Sequence, residues 1–324
     1  MEGDTLLMSS VRVFIRSFFL VAALGVLPCF GEAPVKIGAL LKGRAPGFWQ
    51  YVERGMNETA EKLGVTIVIK APPHALDVGA QFRLLTALEN ENIDVLILAA
   101  TNPDQFDAPV AALKAKGVKV VTLDTALSDG LAHVFVGADQ GAMAEEAVRS
   151  FAKLVRDGDE VALLRNNTVD RTVVEREKKF FEVMKASGAQ FKLHAEFYSG
   201  SAKNNEETQA RLLLETHPET KAAFASASNG TLALLRVAQE KSLVGKIKVF
   251  GFGTYLPDEA VAGFETKLLW GWVAQQPKDS GRKAVEAAVA LARGKQTAAV
   301  VRPVHKLVTP ENFRDPEVQA LRTP

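Results

Sequence analysis

From Val35 to about Val301, short runs of β-branched and other apolar residues alternate with stretches whose apolar residues recur at helical spacing. No other feature limits the fold so strongly, because strands separated by helices pair in parallel. Residues 35–41, 65–69, 95–99, 118–123 and 134–136 are expected as strands, and 48–63, 78–89 and 106–116 as the helices between them. In the first helix Val52, Met56, Ala60 and Leu63 fall on one face. The strand runs are short and largely apolar, as in a parallel sheet buried on both faces. The pattern then restarts with helix 140–155, strand 160–164, helix 172–186, strand 191–197, helix 206–215, strand 222–225, helix 231–239 and strands 247–250 and 268–274. A last helix, 280–292, and a strand near Val300 follow. Two successive series predict an α/β fold of two similar, doubly wound, parallel-sheet lobes. No low-complexity linker separates them, so the chain is expected to cross between lobes more than once through a hinge, with ligand trapped in the cleft by closure.

The repeating pattern is preceded by a segment built for removal. Residues 14–30 are nearly all apolar, with Arg12 just before them and Arg16 near their start, and lead into Gly31-Glu32-Ala33, a small-x-small sequence that a signal peptidase accepts. Residues 1–33 are therefore expected to be a secretory signal. An apolar core of about 17 residues is at the lower limit for spanning a bilayer, which disfavours a retained anchor. Glu2 and Asp4 are out of place in a basic leader, so of the two possible starts, Met1 and Met8, Met8 is expected. Cys29 is the only cysteine; Pro28 before it fits lipid attachment poorly, and once it is removed no thiol chemistry remains. The remaining chain of about 290 residues exceeds the usual single domain. A net charge of +1, spread along the chain, gives no footprint for nucleic acid. A periplasmic monomer is expected.

Residues 36–50, KIGALLKGRAPGFWQ, read as a strand, an open loop and a helix start. The carboxyl end of a strand is where parallel sheets bind ligands, and adjacent Phe48 and Trp49 there offer ring faces to a flat, partly apolar ligand such as a sugar.

The chain resembles the type I periplasmic sugar-binding proteins of ABC transporters, in the ribose-binding and autoinducer-2-binding branch. The resemblance is carried by Phe48-Trp49, Thr122-Leu123-Asp124, Gly137-Ala138-Asp139, Arg176 within residues 174–181, Gly251-Phe252-Gly253 and Ala274-Gln275-Gln276-Pro277. It implies a first lobe of residues 34–138 plus about 276–303, and a second of 139–275 plus about 304–324. It also implies ligand contacts from Phe48, Trp49, Asp124, Arg176 and Gln275. Sugar hydroxyls both donate and accept, so an ionised Asp124 and the Arg176 fork suit them, and an amide such as Gln275 can do both. Asp139 is expected to cap the following helix. Thr125 and Tyr198 are secondary candidates.

Two departures bear on specificity. The family usually has an Asp after the strand ending near Phe252, where this chain has Gly253-Thr254, and an Asn or Asp near position 226, where it has Ser226-Ala227-Ser228-Asn229. Asn229, Ser226 or Ser228 is expected to compensate in part. Lys42 lies six residues before Phe48, a spacing similar to a ligand-contacting Lys of autoinducer-2-binding proteins. If Lys42 and Arg176 face the cleft with only Asp124 to balance them, an anionic or highly oxygenated ligand is favoured.

Catalysis is not expected. The five histidines are scattered without metal-ligand spacing, and no dinucleotide fingerprint, phosphate loop or nucleophile elbow occurs; no cofactor or metal is foreseen. A repressor with the same fold would need a DNA-binding segment where the leader stands. The expected function is a receptor that hands a small sugar or sugar-like ligand to an ABC permease, with a receptor feeding a membrane sensor as the alternative.

Overall fold

The computed structural model describes residues 34–44, 47–200 and 205–322. The expected leader, with Met8 and Cys29, lies outside the described residues. Two six-stranded sheets form the body of the protein. The first contains β1 (Lys36–Leu40), β2 (Thr66–Lys70), β3 (Val95–Leu98), β4 (Lys119–Leu123), β5 (Val134–Val136) and β11 (Val300–Val301). The second contains β6 (Glu160–Leu164), β7 (Lys192–His194), β8 (Thr220–Ala225), β9 (Lys248–Thr254), β10 (Leu269–Gln275) and β12 (His305–Val308). Their orders, β11-β5-β4-β3-β1-β2 and β12-β10-β9-β8-β6-β7, repeat one topology. Every pairing is parallel except that of β12 with β10.

Apolar side chains cover both faces of each sheet. Ile37, Ala39, Ile97 and Val121 pack under α1 (Phe48–Leu63) and α9 (Pro277–Ala292). Leu40, Leu96, Leu98 and Val120 face α2 (Val78–Glu89) and α3 (Asp107–Ala115) on the other side. The second sheet is enclosed in the same way. α4 (Gln140–Ala152) and α5 (Arg171–Ala186) cover the face carrying Val161, Leu163, Phe224 and Phe250. α6 (Asn205–Thr216), α7 (Ser228–Glu240) and α8 (Asp258–Glu265) cover the other. Helix starts have local causes: the side chains of Asp77, Asp139 and Asp170 each accept a backbone N–H from the first turn of α2, α4 and α5. The chain passes between lobes three times, after β5, after β10 and between β11 and β12.

The structure departs from the sequence reading at the end of the chain. α8, β12 and the short α10 (Pro316–Gln319) lie where no element was expected. Strand 191–197 shortens to β7, an edge strand whose continuation forms only one isolated bridge, Arg165 with Tyr198.

The return of α9 to the first lobe depends on two glycines at a close helix crossing. A Cβ on Gly55 would lie 2.1 Å from the Lys278 carbonyl oxygen, and one on Gly281 would lie 2.1 Å from that of Val52. Side chains larger than hydrogen would push α1 and α9 apart. Gly281→Ala and Gly55→Ala are each expected to cost about 1–3 kcal/mol, as overpacking does; a urea midpoint equal to that of the wild type would refute this close-contact account.

Candidate functional site

In each sheet the order reverses next to its first strand, at β1/β3 and at β6/β8, and crevices open at the carboxyl ends there. The two sets of strand ends face one another across a cavity of about 220 Å³. Phe48, Trp49, His74 and Asp124 line it from the first lobe; Asn166, Asp170, Arg176, Ser228, Thr254 and Gln275 line it from the second. Gln81 on α2 is fully buried and fastens the crevice of the first sheet. Its amide donates to the carbonyls of Leu41 and Ala99, both at 3.0 Å, and its oxygen accepts from Thr101 N–H. The ends of β1 and β3 are thereby clamped together, and Lys42 follows directly.

Lys42 is 1% exposed. Its Nζ donates to Asp124 Oδ2 at 2.8 Å and to Asp170 Oδ1 at 2.7 Å. Asp124 follows β4 of the first sheet; Asp170 caps α5 on the second lobe, so the ammonium bonds both lobes at once. Burial opposes the charge on Lys42, yet the two carboxylates outweigh it and hold its pKa above the ordinary lysine value. Burial likewise works against Asp170, but Lys42 and the backbone N–H and hydroxyl of Thr172 hold its carboxyl below the usual range. Asn167 orients Asp170, its side-chain oxygen accepting from the N–H groups of Val169 and Asp170. Asp124 sits at φ 65°, a left-handed conformation uncommon outside glycine but tolerated by Asp. Two further contacts join the lobes: Arg171 with Asp104 at 2.5 Å, and the Tyr51 ring edge-on to Tyr255 with centroids 4.9 Å apart.

Arg176, on α5, is 6% exposed. Its Nε donates to Gln140 Oε1 at 2.8 Å, and its two terminal nitrogens donate to the Ser226 carbonyl and Gln275 Oε1, each at 3.2 Å. The guanidinium carbon lies 4.2 Å from the centre of the Phe252 ring, a cation–π contact. Burial lowers its pKa, with Asp124 and Asp170 offsetting part of the effect; a guanidinium remains charged nonetheless. Gln275 turns its nitrogen to the Gly253 carbonyl at 3.1 Å. Gly253 is dictated by packing, since a Cβ there would lie 1.8 Å from the Trp272 ring. No carboxylate side chain fits at that position while Trp272 fills the layer behind it, which accounts for the first departure from the family pattern. At the second, Ser226 turns inward and donates to Glu177 at 2.8 Å, leaving Ser228 on the cavity wall.

The structure brings together Phe48, Trp49, Asp124, Arg176 and Gln275 around the cavity and sets Lys42 immediately behind it. Asn229 is exposed at the rim and donates weakly to Glu206 at 3.4 Å. Thr125 is absent from the cavity wall and lines a neighbouring opening with Asp139 and Arg171. Tyr198 is absent from the cavity wall, its ring 4.5 Å from the Arg165 guanidinium. Asp139 caps α4 as expected.

Two expectations need correction. Lys42 and Arg176 are balanced by two carboxylates, not by Asp124 alone, so the cavity offers no spare positive charge for an anion. The histidines are not all scattered: His194 and His217 stack with ring centres 3.5 Å apart. Sequence reasoning missed Asp170, whose visible signal was its place as helix cap just before Thr172, and Asn167 and Gln81, which act only through the folded geometry.

Comparison with known proteins agrees with this architecture. The family model described as a periplasmic binding protein domain matches residues 37–296. The chain is 29% identical over 258 residues to the D-allose-binding periplasmic protein of Escherichia coli K12, covering 77% of this chain and 82% of that one. It is 26% identical over 262 residues to the ribose import binding protein of Bacillus subtilis 168, covering 81% and 83%. A carbohydrate transporter solute-binding protein of Agrobacterium radiobacter, solved with D-arabinose, superposes with a TM-score of 0.81 at 22% identity over 90% of this chain and 99% of the other. A solute-binding protein of Agrobacterium vitis, solved with D-fucose, gives 0.82 at 20% identity over 89% and 100%.

Lys42→Met removes the cation bonded to both Asp124 and Asp170 and is expected to destabilise the protein by about 3–5 kcal/mol; an unchanged urea midpoint would contradict the described pairing. The pH dependence follows from the same contacts. The stabilisation through Asp170 is complete above its unfolded pKa of about 3.9 and is lost as pH falls through its lower folded value. That through Lys42 is complete below about 10.4 and is lost as pH rises through its higher folded value. Asp170→Asn is therefore expected to flatten the acid limb of stability against pH, and an acid limb as steep as that of the wild type would count against it.

Proposed function

This chain belongs to the periplasmic binding protein domain family, whose members are substrate-binding proteins and not enzymes, and we propose that it closes around one neutral, compact sugar and delivers it to an ABC transporter permease. The observation that carries the reading is the charge balance of the cavity. Arg176 and Lys42 stand against Asp124 and Asp170, while Phe48 and Trp49 supply the apolar wall. An anionic ligand would have to displace one of these carboxylates from its cation inside a largely desolvated site. A neutral sugar needs no such exchange: its hydroxyls donate to the free carboxylate oxygens and accept from Arg176. Each charge-assisted bond contributes roughly 1.5–3 kcal/mol. A stacked ring with three or four such bonds can reach about 8 kcal/mol, a micromolar affinity, after closure and desolvation costs.

The names of the relatives, which concern allose and ribose, support an aldose ligand, and the word import supports delivery to a permease over sensing. The cavity size suits a single sugar unit. The periplasm is the compartment that the family and the expected leader at residues 1–33 support. The lobes are taken as residues 34–138 with about 276–303, and 139–275 with about 304–324; the membership of β11 and β12 in opposite sheets supports that division.

Thermal unfolding with pentoses, hexoses and sugar acids tests the ligand class. A neutral aldose at about 1,000 times its Kd adds roughly 4 kcal/mol, a rise of several degrees, and sugar acids are expected to give none. A response confined to the acids would overturn the neutral reading. Asp124→Asn, which keeps the side chain's shape, is expected to weaken binding of the responding sugar roughly 10- to 100-fold by isothermal titration; wild-type affinity would remove Asp124 from the contact set.

A further inference from the structure

We propose that Glu160, His194 and His217 form a binding site for a divalent transition-metal ion on the second lobe, separate from the sugar cavity. Glu160 begins β6, His194 ends β7, and His217 immediately follows α6. Three elements distant in sequence thus converge on one point. One ligand atom from each residue lies within 4.8 Å of the other two. Ligands of a tetrahedral ion with bonds of 2.0–2.2 Å are about 3.4 Å apart, so on binding the three atoms draw together by about 1 Å and the near-parallel stack of His194 and His217 opens to turn both ring planes toward the ion.

The surroundings suit such an ion. His194 is 5% exposed, and its Nε2 lies 2.9 Å from Glu160 Oε2. His217 Nε2 lies 2.8 Å from Glu196 Oε1. A carboxylate bonded to the ring nitrogen that does not ligate is the arrangement that orients metal-binding histidines, and Glu196 stands in that place beside His217. On binding, the ion replaces the proton between His194 Nε2 and Glu160 Oε2, both of which become ligands. That proton passes to His194 Nδ1, which leaves Nε2 free to ligate; His217 supplies its Nδ1 as the second nitrogen, and Glu196 holds the ring through Nε2. Two imidazoles and one carboxylate favour zinc or a neighbouring transition ion over magnesium or calcium, which prefer oxygen. Three protein ligands leave a fourth position for water.

Glu160 stands at the amino end of β6, roughly 16 Å of strand from the crevice at its carboxyl end, so the ion does not touch the sugar. Its effect is to fasten the three-residue edge strand β7 to β6 and to the end of α6. The inference is independent of the sugar reading.

Isothermal titration of the chelator-stripped protein with ZnCl2 tests it. The expected result is one ion per chain and a rise in Tm of several degrees, with no comparable response to MgCl2. In His217→Gln the zinc affinity should fall at least tenfold while sugar binding stays as in the wild type. Glu160→Gln provides the same readout if His217→Gln fails to fold. Absence of zinc binding by the wild type, an equal response to magnesium, or unchanged zinc affinity in the folded variants would overturn the assignment.

Discussion

The ammonium of Lys42, held between the carboxylates of Asp124 and Asp170, is the constraint around which the cleft is organised. A lysine this deeply buried is tolerable only if both its charge and its donors are matched, and here the match is divided between the lobes. Its bond to Asp124 lies within the first lobe; its bond to Asp170 exists only when the lobes meet. The same contact also sets the charge of the cavity, because it commits one cation to two carboxylates whose remaining charge faces Arg176. Closure and ligand class thus have one physical origin.

The rest of the structure supplies that arrangement with little freedom. Gln81 clamps the ends of β1 and β3 and so fixes where Lys42 starts. The turn at Asp124 is held by its N–H to the Val136 carbonyl. Asp170 is fixed by Asn167 and by its own role as cap of α5, and the same helix presents Arg176. Behind them the Gly253 and Trp272 contact excludes a side chain, while Arg176 rests on Phe252. Polar groups at the site are therefore oriented by the protein's own contacts, and less of the binding energy is lost to ordering them.

Much of this was legible in the sequence, for identifiable reasons. α1 and α2 have the expected limits because amphipathic spacing and a terminal glycine or capping Asp define them locally. The strands of both sheets were visible as apolar runs between helices. α8 was not, since eight residues containing Gly263 carry little periodic signal, and β12 was hidden because a half-buried strand of four residues resembles a loop. Phe48, Trp49, Asp124, Arg176 and Gln275 could be singled out from the family resemblance, and the structure sets all five around one cavity, Arg176 from α5 and the others near strand ends. The partner of Lys42 could not: Asp170 lies 128 residues away, and only the packing of lobe on lobe brings them together. Thr125 follows Asp124 in the chain yet lines a neighbouring opening and not the cavity, a difference that spacing does not reveal. The pairing of His194 with His217 was concealed in the same way.

The most direct test of this account is small-angle X-ray scattering of the ligand-free protein and of Asp170→Asn, which retains a helix-capping side chain while removing the charge that Lys42 grips. The account predicts a larger radius of gyration for the variant, as lobes no longer joined through Lys42 separate, and a return toward the compact value when sugar is added. Scattering curves that coincide without sugar would show that the Lys42 contact does not hold the lobes together.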